Sequence, residues 1–305
     1  QTRRSAGTLA VSFAELRKIE NQRKSMIKRN YYSVRTGKIN PDSKIDFDVL
    51  KQLFLMSYKI LDRAGYFQKY FGIDCSDGFI EGQLGEEIDA YVFINLRKEN
   101  LFPVYTKLKD YTEDDFFDVL EFLHDHCSKG LNGYYHNWNN CGYHYDEFND
   151  LEGQKYFREI INPVIRDYKN GFEISENGEI LILSDNGLSN LFEADIPTND
   201  KENISSRINS SIIKFRRHKS TLEDRKEAIR ELADVLEFVR PEIKKHLDKK
   251  DENDIFNIAN NFGIRHHNVD QKVNYDKAIW YSWIFYYYLA TLHAVLRITN
   301  KKQTK

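Results

Sequence analysis

The segment ending at residue 268 holds the densest set of side chains that could do chemistry. IANNFGIRHHN, at residues 258–268, brings an arginine, two histidines and several amides together. Arg265 offers a permanent planar charge that can hold a phosphate through two hydrogen bonds. His266 and His267 can transfer protons near neutral pH. These are the tools of metal-free RNA cleavage, in which arginine stabilises the charge of the phosphorus-centred transition state.

The chain has an uneven charge distribution beneath a net charge of -2. Residues 1–38 carry ten basic and two acidic side chains, residues 39–200 carry 14 and 31, and residues 201–250 carry 14 and nine. Because basic side chains are concentrated toward the ends of the sequence and acidic ones in the middle, we expect any nucleic-acid surface to lie on the ends. We expect RNA contacts from the following amides and cations: Asn261, Asn268, Lys214, Arg216 and Arg217. The alternatives are solvated helix faces or docking between domains.

The 258–268 segment could instead have a purely structural role. In that case, Arg265 pairs with Asp254 or Asp270, and one histidine caps a helix or makes a core hydrogen bond.

The elements that position these residues are predicted to be mainly helical. Apolar spacings of three and four predict helices over 8–29, 48–71, 86–97, 114–124, 152–169, 204–218, 222–239, 254–261 and 276–298. Thr112 is expected to cap one helix, and residues 220–223 fit a capping box for another. In the 48–71 helix, the apolar pattern runs through Val49, Leu53, Met56, Ile60 and Leu61.

A single hairpin and a linker complete this architecture. Asn177 and Gly178 tolerate positive φ and lie between alternating apolar residues, which predicts a hairpin over 172–183. The polar stretch 195–205 reads as a linker. We therefore expect an acidic, α-rich domain with a basic N-terminal helix over 1–198, and a helical bundle over 199–305.

The last helix is apolar nearly all round over residues 279–296. Ser282, Thr291, His293 and many tyrosine hydroxyls would be costly in lipid, so we expect no membrane contact. Burial in a bundle or at a dimer interface is favoured.

Three stretches of the C-terminal part carry a resemblance. They are FRRHKSTLEDRK at 215–226, ADVLEF at 233–238 and FNIANNFGIRHHN at 256–268. This part resembles the bacterial abortive-infection proteins and the helical HEPN ribonuclease superfamily over roughly the last hundred residues. The resemblance implies a four- or five-helix bundle that dimerises and cuts RNA without metal. It also implies that Arg265 holds the phosphate and that His266 or His267 is the catalytic histidine.

The sequence departs from the HEPN pattern, in which four to six residues separate the arginine from the histidine. His266 and His267 follow Arg265 directly, whereas Arg240 and His246 have the expected spacing. The leading prediction is an antiphage endoribonuclease that acts on RNA as a homodimer, with a regulatory or phage-derived protein as a possible partner. The alternative is a catalytically inactive HEPN-like module for nucleic-acid or protein binding and dimerisation.

A second group of residues has zinc-ligand types: His124, His126, Cys127, His136, Cys141 and His144. Their spacing matches no compact zinc signature. An aromatic loop around Tyr134, Tyr135, Trp138, Tyr143 and Tyr145 is the favoured account, and it could stack bases or bind a partner. We predict no metal and no cofactor. Motifs for P-loop nucleotide hydrolysis, an esterase elbow and zinc proteolysis are absent from the sequence.

The chain's three cysteines are too few and too widely spaced for a disulfide framework. The basic N-terminus has no apolar signal core. We therefore expect a reducing cytoplasm.

Overall fold

The computed structural model describes residues 31–40, 42–138, 141–183, 188–264 and 275–303. The basic helix predicted over 8–29 lies outside them. The chain divides into two units between Lys44 and Ile45, and the described residues of the first unit are 31–40 and 42–44. In the first unit, Tyr32–Arg35 forms one helical turn, α1, and Lys38 Nζ lies 5.6 Å from the centre of the Tyr32 ring.

The second unit holds the remaining described elements. Its helices are α2 (Phe47–Arg63), α3 (Gln68–Phe71), α4 (Ile88–Leu96), α5 (Val104–Lys107), α6 (Glu113–Asp125), α7 (Asp150–Ile165), α8 (Ser189–Glu193), α9 (Ser206–Arg216), α10 (Leu222–Phe238), α11 (Arg240–Ile243), α12 (Lys249–Asn261) and α13 (Lys277–Gln303). A 3-10 turn (Leu108–Asp110) and a π-helical turn (Lys201–Ser205) are also present, so part of the predicted linker 195–205 is helical. Its strands are β1 (Ile73–Cys75), β2 (Gly78–Ile80), β3 (Lys129–Leu131), β4 (Tyr134–His136), β5 (Gly142–His144), β6 (Glu147–Asn149), β7 (Phe172–Ile174) and β8 (Ile180–Ile182).

The fold is mainly helical, as predicted. The strands are three residues long and form four antiparallel pairs, β1–β2, β3–β6, β4–β5 and β7–β8. Strand pairs this small are marginally stable on their own, so each depends on what packs against it.

Helix α2 buries mainly a different face from the one that the apolar pattern indicates, and of the five residues in that pattern Leu61 alone is buried. Met56 and Ile60 are 63% and 54% exposed, and Val49 and Leu53 are also exposed. The buried face contains Leu50, Phe54, Tyr58 and Leu61. Both faces of this helix carry large apolar residues, so spacing alone could not select the face that meets the core.

The first hydrophobic core lies between α2, α6, α7 and the β7–β8 hairpin. Phe54 packs edge-to-face on Phe116, with ring centroids 5.2 Å apart. The Thr112 side chain accepts a hydrogen bond from the Asp115 amide and begins α6, as predicted. The Asp115 carboxylate in turn accepts a hydrogen bond from the Thr112 amide, which completes a capping box.

The second hydrophobic core is built from α9, α10, α12 and α13. Phe215 of α9 stacks on Phe285 of α13, with ring centroids 3.9 Å apart. A capping box begins α10, but it joins Thr221 to Asp224, one residue later than predicted. Leu191, Phe192 and Ile196 already pack against this core, ahead of the predicted boundary at residue 198.

The predicted hairpin at Asn177 and Gly178 is confirmed as β7–β8. Phe172, Ile174 and Ile180 bury into the first core. On its other side the hairpin meets the end of α9, because the amide of His218 donates to the carbonyl of Ile180 at 3.1 Å. The hairpin therefore joins the two cores.

Helix α13 buries one face in the second core, including Tyr288, Leu289 and Leu292. Trp280 and Trp283 are 38% and 44% exposed on the same helix. Across the described residues, no helix combines the length and the apolar character that crossing a membrane requires.

Candidate functional site

The predicted catalytic segment is described only at its two ends. Arg265, His266, His267 and Asn268 lie outside the described residues. On one side, Asn261 is the exposed last residue of α12, and Ile264 is fully buried. On the other side, Tyr275 precedes α13.

Hydrogen bonds hold both ends of this segment against the second core. Arg230 Nε of α10 donates to the carbonyl oxygen of Ile264 at 3.3 Å. The Tyr275 hydroxyl donates to the carbonyl oxygen of Phe262 at 2.8 Å. The chain therefore enters and leaves the segment that carries Arg265 at one place, between α12 and α13.

Aromatic rings surround this place. Phe262 lies 5.2 Å from both Tyr275 and Trp280, measured between ring centroids. Trp280 contacts Trp283 edge-to-face at 5.5 Å. Because both tryptophans are partly exposed, their faces are available to stack on a base or to pack against a partner.

Carboxylates hold the cations that we predicted to contact RNA. Arg217 pairs with Glu179 at 2.7 Å, and Lys214 with Glu231 of α10. Arg216 pairs with Glu173 at 2.6 Å and is the most buried of the three cations. Ion pairs within the protein therefore neutralise much of the positive charge of this stretch.

Lys214 and Arg217 also line an open groove of about 540 Å³ between the β7–β8 turn and α9. Lys201 adds a third cation, and Ser205, Ser206 and Asn209 add hydroxyl and amide groups. Cations mixed with neutral hydrogen-bonding groups suit a sugar–phosphate backbone. Glu179 lines the same groove, so an anion would compete with it for Arg217.

Arg240, from the alternative pair of Arg240 and His246, has a structural role. Arg240 Nε donates to Glu252 Oε1 at 2.6 Å, and the guanidinium lies 4.2 Å from the centre of the Phe256 ring. Glu252 is only 6% exposed. Arg240 therefore neutralises a buried carboxylate of α12.

The fold divides the predicted zinc-type residues into two groups. Near the end of α6, His124 Nε2 lies 3.0 Å from Arg158 Nη1, and His126 Nδ1 lies 2.7 Å from the Phe122 carbonyl oxygen. Burial lowers the pKa of His126. Cys127 is buried and donates to the Gly153 carbonyl, and burial raises the pKa of its thiol. These three residues are held within the first core.

His136, Cys141 and His144 instead lie beside Cys75, which no spacing in the sequence connects with them. One donor atom from each of these four side chains lies within 4.8 Å of the others. We predicted no metal because the sequence has no compact spacing of zinc ligands. The fold nevertheless brings Cys75 and His136 together, although 61 positions separate them in the sequence. The Asp77-Gly78 dipeptide beside Cys75 is a hairpin signal that could have drawn attention to this part of the chain.

Comparison with known proteins found no match: no protein-family model, no curated protein and no solved structure matches this chain. The resemblance to the HEPN superfamily therefore rests on the sequence of residues 215–226, 233–238 and 256–268.

Proposed function

We propose that this protein is a metal-independent endoribonuclease of antiphage defence, with an HEPN-like bundle in its second core. The observation that carries the proposal is the anchoring of Ile264 and Tyr275 at one place beside Trp280 and Trp283. It brings the ends of an arginine- and histidine-bearing segment beside rings that can stack on bases.

Each residue type has a defined task in such a reaction. One histidine of the His266–His267 pair takes the proton of the ribose 2′-hydroxyl as its oxygen bonds to phosphorus. The other gives a proton to the departing 5′-oxygen as the phosphorus–oxygen bond breaks. Arg265 stabilises the charge on the phosphoryl oxygens. The amides of Asn261 and Asn268 would contact the nucleotide beside the scissile bond.

The groove along α9 supplies a place for the RNA backbone. Lys214 and Arg217 would exchange their carboxylate partners for phosphates, and Lys201 of the same groove would contact phosphate as well, with release of counterions. Binding is therefore expected to weaken as the salt concentration rises. In this proposal the protein acts in the cytoplasm, and a regulatory or phage-derived protein controls it.

The test is an assay of purified full-length protein with a defined tRNA pool, without added metal and with EDTA present only during the reaction. We expect cleavage that leaves 2′,3′-cyclic phosphate ends. Arg265→Ala and His267→Ala should each abolish cleavage without unfolding the protein. His266→Ala tests the second proton-transfer role, and His246→Gln is the matched control that retains activity. Unchanged cleavage in both Arg265→Ala and His267→Ala would overturn the proposal.

A second candidate function is a catalytically inactive HEPN-like module that binds nucleic acid or protein and dimerises. The exposed apolar side chains at the start of α13, Ile279, Trp280 and Trp283, favour it. This module would bind RNA in a salt-sensitive way and yield no cleavage products. Trp283→Lys would then convert a dimer to a monomer in sedimentation experiments, whereas Lys277→Ala, at the start of the same helix, would not.

A further inference from the structure

The side chains of Cys75, His136, Cys141 and His144 come together between two hairpins. Cys75 ends β1, while His136 ends β4 and His144 ends β5. The β4–β5 register pairs His136 with Gly142 and Tyr134 with His144. Side chains two positions apart along a strand share a face, so both histidines lie on one face of this hairpin.

The donor atoms lie nearly as close together as the ligand atoms of a tetrahedral zinc ion, within 4.8 Å of one another. Cys75 Sγ lies 3.4 Å from His136 Nδ1, and Cys141 Sγ lies 3.0 Å from His144 Nε2. With Zn–S near 2.3 Å and Zn–N near 2.0 Å, tetrahedral geometry separates ligand atoms by about 3.3 to 3.8 Å. The two rings are nearly perpendicular, at 87°, with centroids 5.4 Å apart. Their nitrogens can thus approach one point from different directions.

The outward side of the His136 ring supports the same interpretation. His136 turns Nδ1 toward Cys75 and Nε2 toward Asp77 Oδ2, 3.4 Å away. A carboxylate behind a metal-binding imidazole orients the ring and strengthens its donor nitrogen. His144 is 5% exposed, and its Nδ1 has no hydrogen-bond partner among the described residues. Tyr134 stacks on the His144 ring at 5.4 Å and holds it in place.

The hairpins that carry these ligands are small and largely exposed. All three residues of β2 are exposed, and β4 and β5 are each three residues long. A direct protein contact between the hairpins is the bond from the Ser76 hydroxyl to the Trp138 carbonyl, at 3.2 Å. A metal ion bound by one ligand from the first hairpin and three from the second would lock both together.

We propose that Cys75, His136, Cys141 and His144 bind one structural Zn²⁺ ion that joins the β1–β2 and β4–β5 hairpins. Two thiolates and two imidazoles are the donor set that tetrahedral zinc takes in structural sites. They are poor ligands for Mg²⁺ and Ca²⁺, which require oxygen. All four positions are filled by the protein, so the ion does not bind or activate a substrate.

The first test measures zinc in the full-length protein after expression with added zinc and extensive dialysis. We expect about one zinc per chain by mass spectrometry of the metal, and Co²⁺ exchange should give the visible absorption of a tetrahedral site with thiolate charge transfer. Cys75→Ser, His136→Gln, Cys141→Ser and His144→Gln should each abolish stoichiometric binding. Cys127→Ala is the matched control, because Cys127 contacts Gly153 in the first core, and it should retain the metal.

Metal binding by the wild-type protein tests the proposal even if a ligand variant does not fold. Absence of zinc together with no Co²⁺ uptake would overturn the proposal. A six-coordinate Co²⁺ spectrum would also overturn it, as would full zinc retention in Cys75→Ser and His144→Gln. The RNA cleavage assay does not enter this test, so the zinc proposal and the ribonuclease proposal can fail independently.

A second variant tests the carboxylate behind His136. Asp77→Asn removes its charge and keeps its shape, so we expect one zinc per chain at saturation with an affinity about 10- to 100-fold lower in chelator competition. Asp74→Asn on the same hairpin is the control and should keep wild-type affinity. Equal affinities in both variants would contradict the role given to Asp77.

Discussion

The guanidinium of Arg216 donates to the carboxylate of Glu173 at 2.6 Å, and this ion pair joins the two hydrophobic cores. The arginine lies at the end of α9, and the glutamate is in the middle of β7. The Arg216 side chain is 10% exposed, and its Nε also donates to the Ile182 carbonyl at 3.1 Å. The cation also lies 4.9 Å from the centre of the Phe192 ring. Arg216 therefore helps to hold β7–β8 against α9.

Removing this arginine should destabilise the protein. Arg216→Met is expected to lower the free energy of unfolding by about 2–3 kcal/mol, because it leaves a partly buried carboxylate unpaired. Urea unfolding checks this value. Arg217→Met is the matched control, since its pair with Glu179 is more exposed, and it should cost at most about 1 kcal/mol. Equal losses in the two variants would contradict the structural role of Arg216.

Stability should fall on mild acidification because of His218. Its ring lies 5.3 Å from Phe117 and 5.0 Å from Phe172, and neither ring nitrogen has a hydrogen-bond partner among the described residues. Burial, followed by the charge of Lys219, lowers the pKa of His218, against opposing effects of Glu113 and Asp114. The unfolded chain, with a histidine pKa of about 6.5, binds the proton more readily than the folded protein.

The stability that His218 contributes is therefore complete above about pH 6.5 and is lost as the pH falls toward the lowered pKa of the folded state. His218→Phe keeps an aromatic ring between Phe117 and Phe172 and removes the titration. We expect His218→Phe to lose less stability than the wild-type protein between pH 7 and pH 5, as measured by urea unfolding at each pH. The stability of His218→Phe should still depend partly on pH, because burial also lowers the pKa of His126 and His293. An unchanged slope in His218→Phe would refute this role.

The pair of Arg240 and Glu252 should behave as a buried ion pair in a double-mutant cycle. Arg240→Met is expected to lower the free energy of unfolding by about 3 kcal/mol, since Glu252 would lose the cation at 2.6 Å while it stays at a site that is 6% exposed. Arg240→Met combined with Glu252→Leu should recover most of that loss. Thermal and urea unfolding of the three variants give the coupling energy. Simple additivity of the two single changes would show that the pair does not interact.

The two apolar faces of α2 should respond very differently to substitution. Phe54→Ala is expected to cost about 3–5 kcal/mol, because Phe54 is 1% exposed and contacts Phe116. Met56→Gln, on the exposed face, should change stability by no more than about 0.5 kcal/mol. Unfolding in urea compares the two directly. A large loss in Met56→Gln would mean that another surface covers this face in solution.

Local signals in the sequence were sufficient for much of the secondary structure. Thr112 begins α6, and the Asn177-Gly178 turn lies between β7 and β8, because capping and turn conformations depend on a few neighbouring residues. The mainly helical fold follows in the same way from apolar spacings of three and four. The capping box of α10 was displaced by one residue, since adjacent Ser220 and Thr221 can each act as a cap.

The tertiary structure decided which of these elements meet and which side chains they bring together. Both faces of α2 are apolar, so only the packing of Phe116 and its neighbours selected Phe54 over Met56. Arg216 looks like an RNA contact in sequence, but in the fold Glu173 lies within hydrogen-bond distance of it. Cys75 and His136 are 61 positions apart and share no local pattern. Their proximity depends on how two separate hairpins pack, and short-range conformational preferences carry no information about that packing.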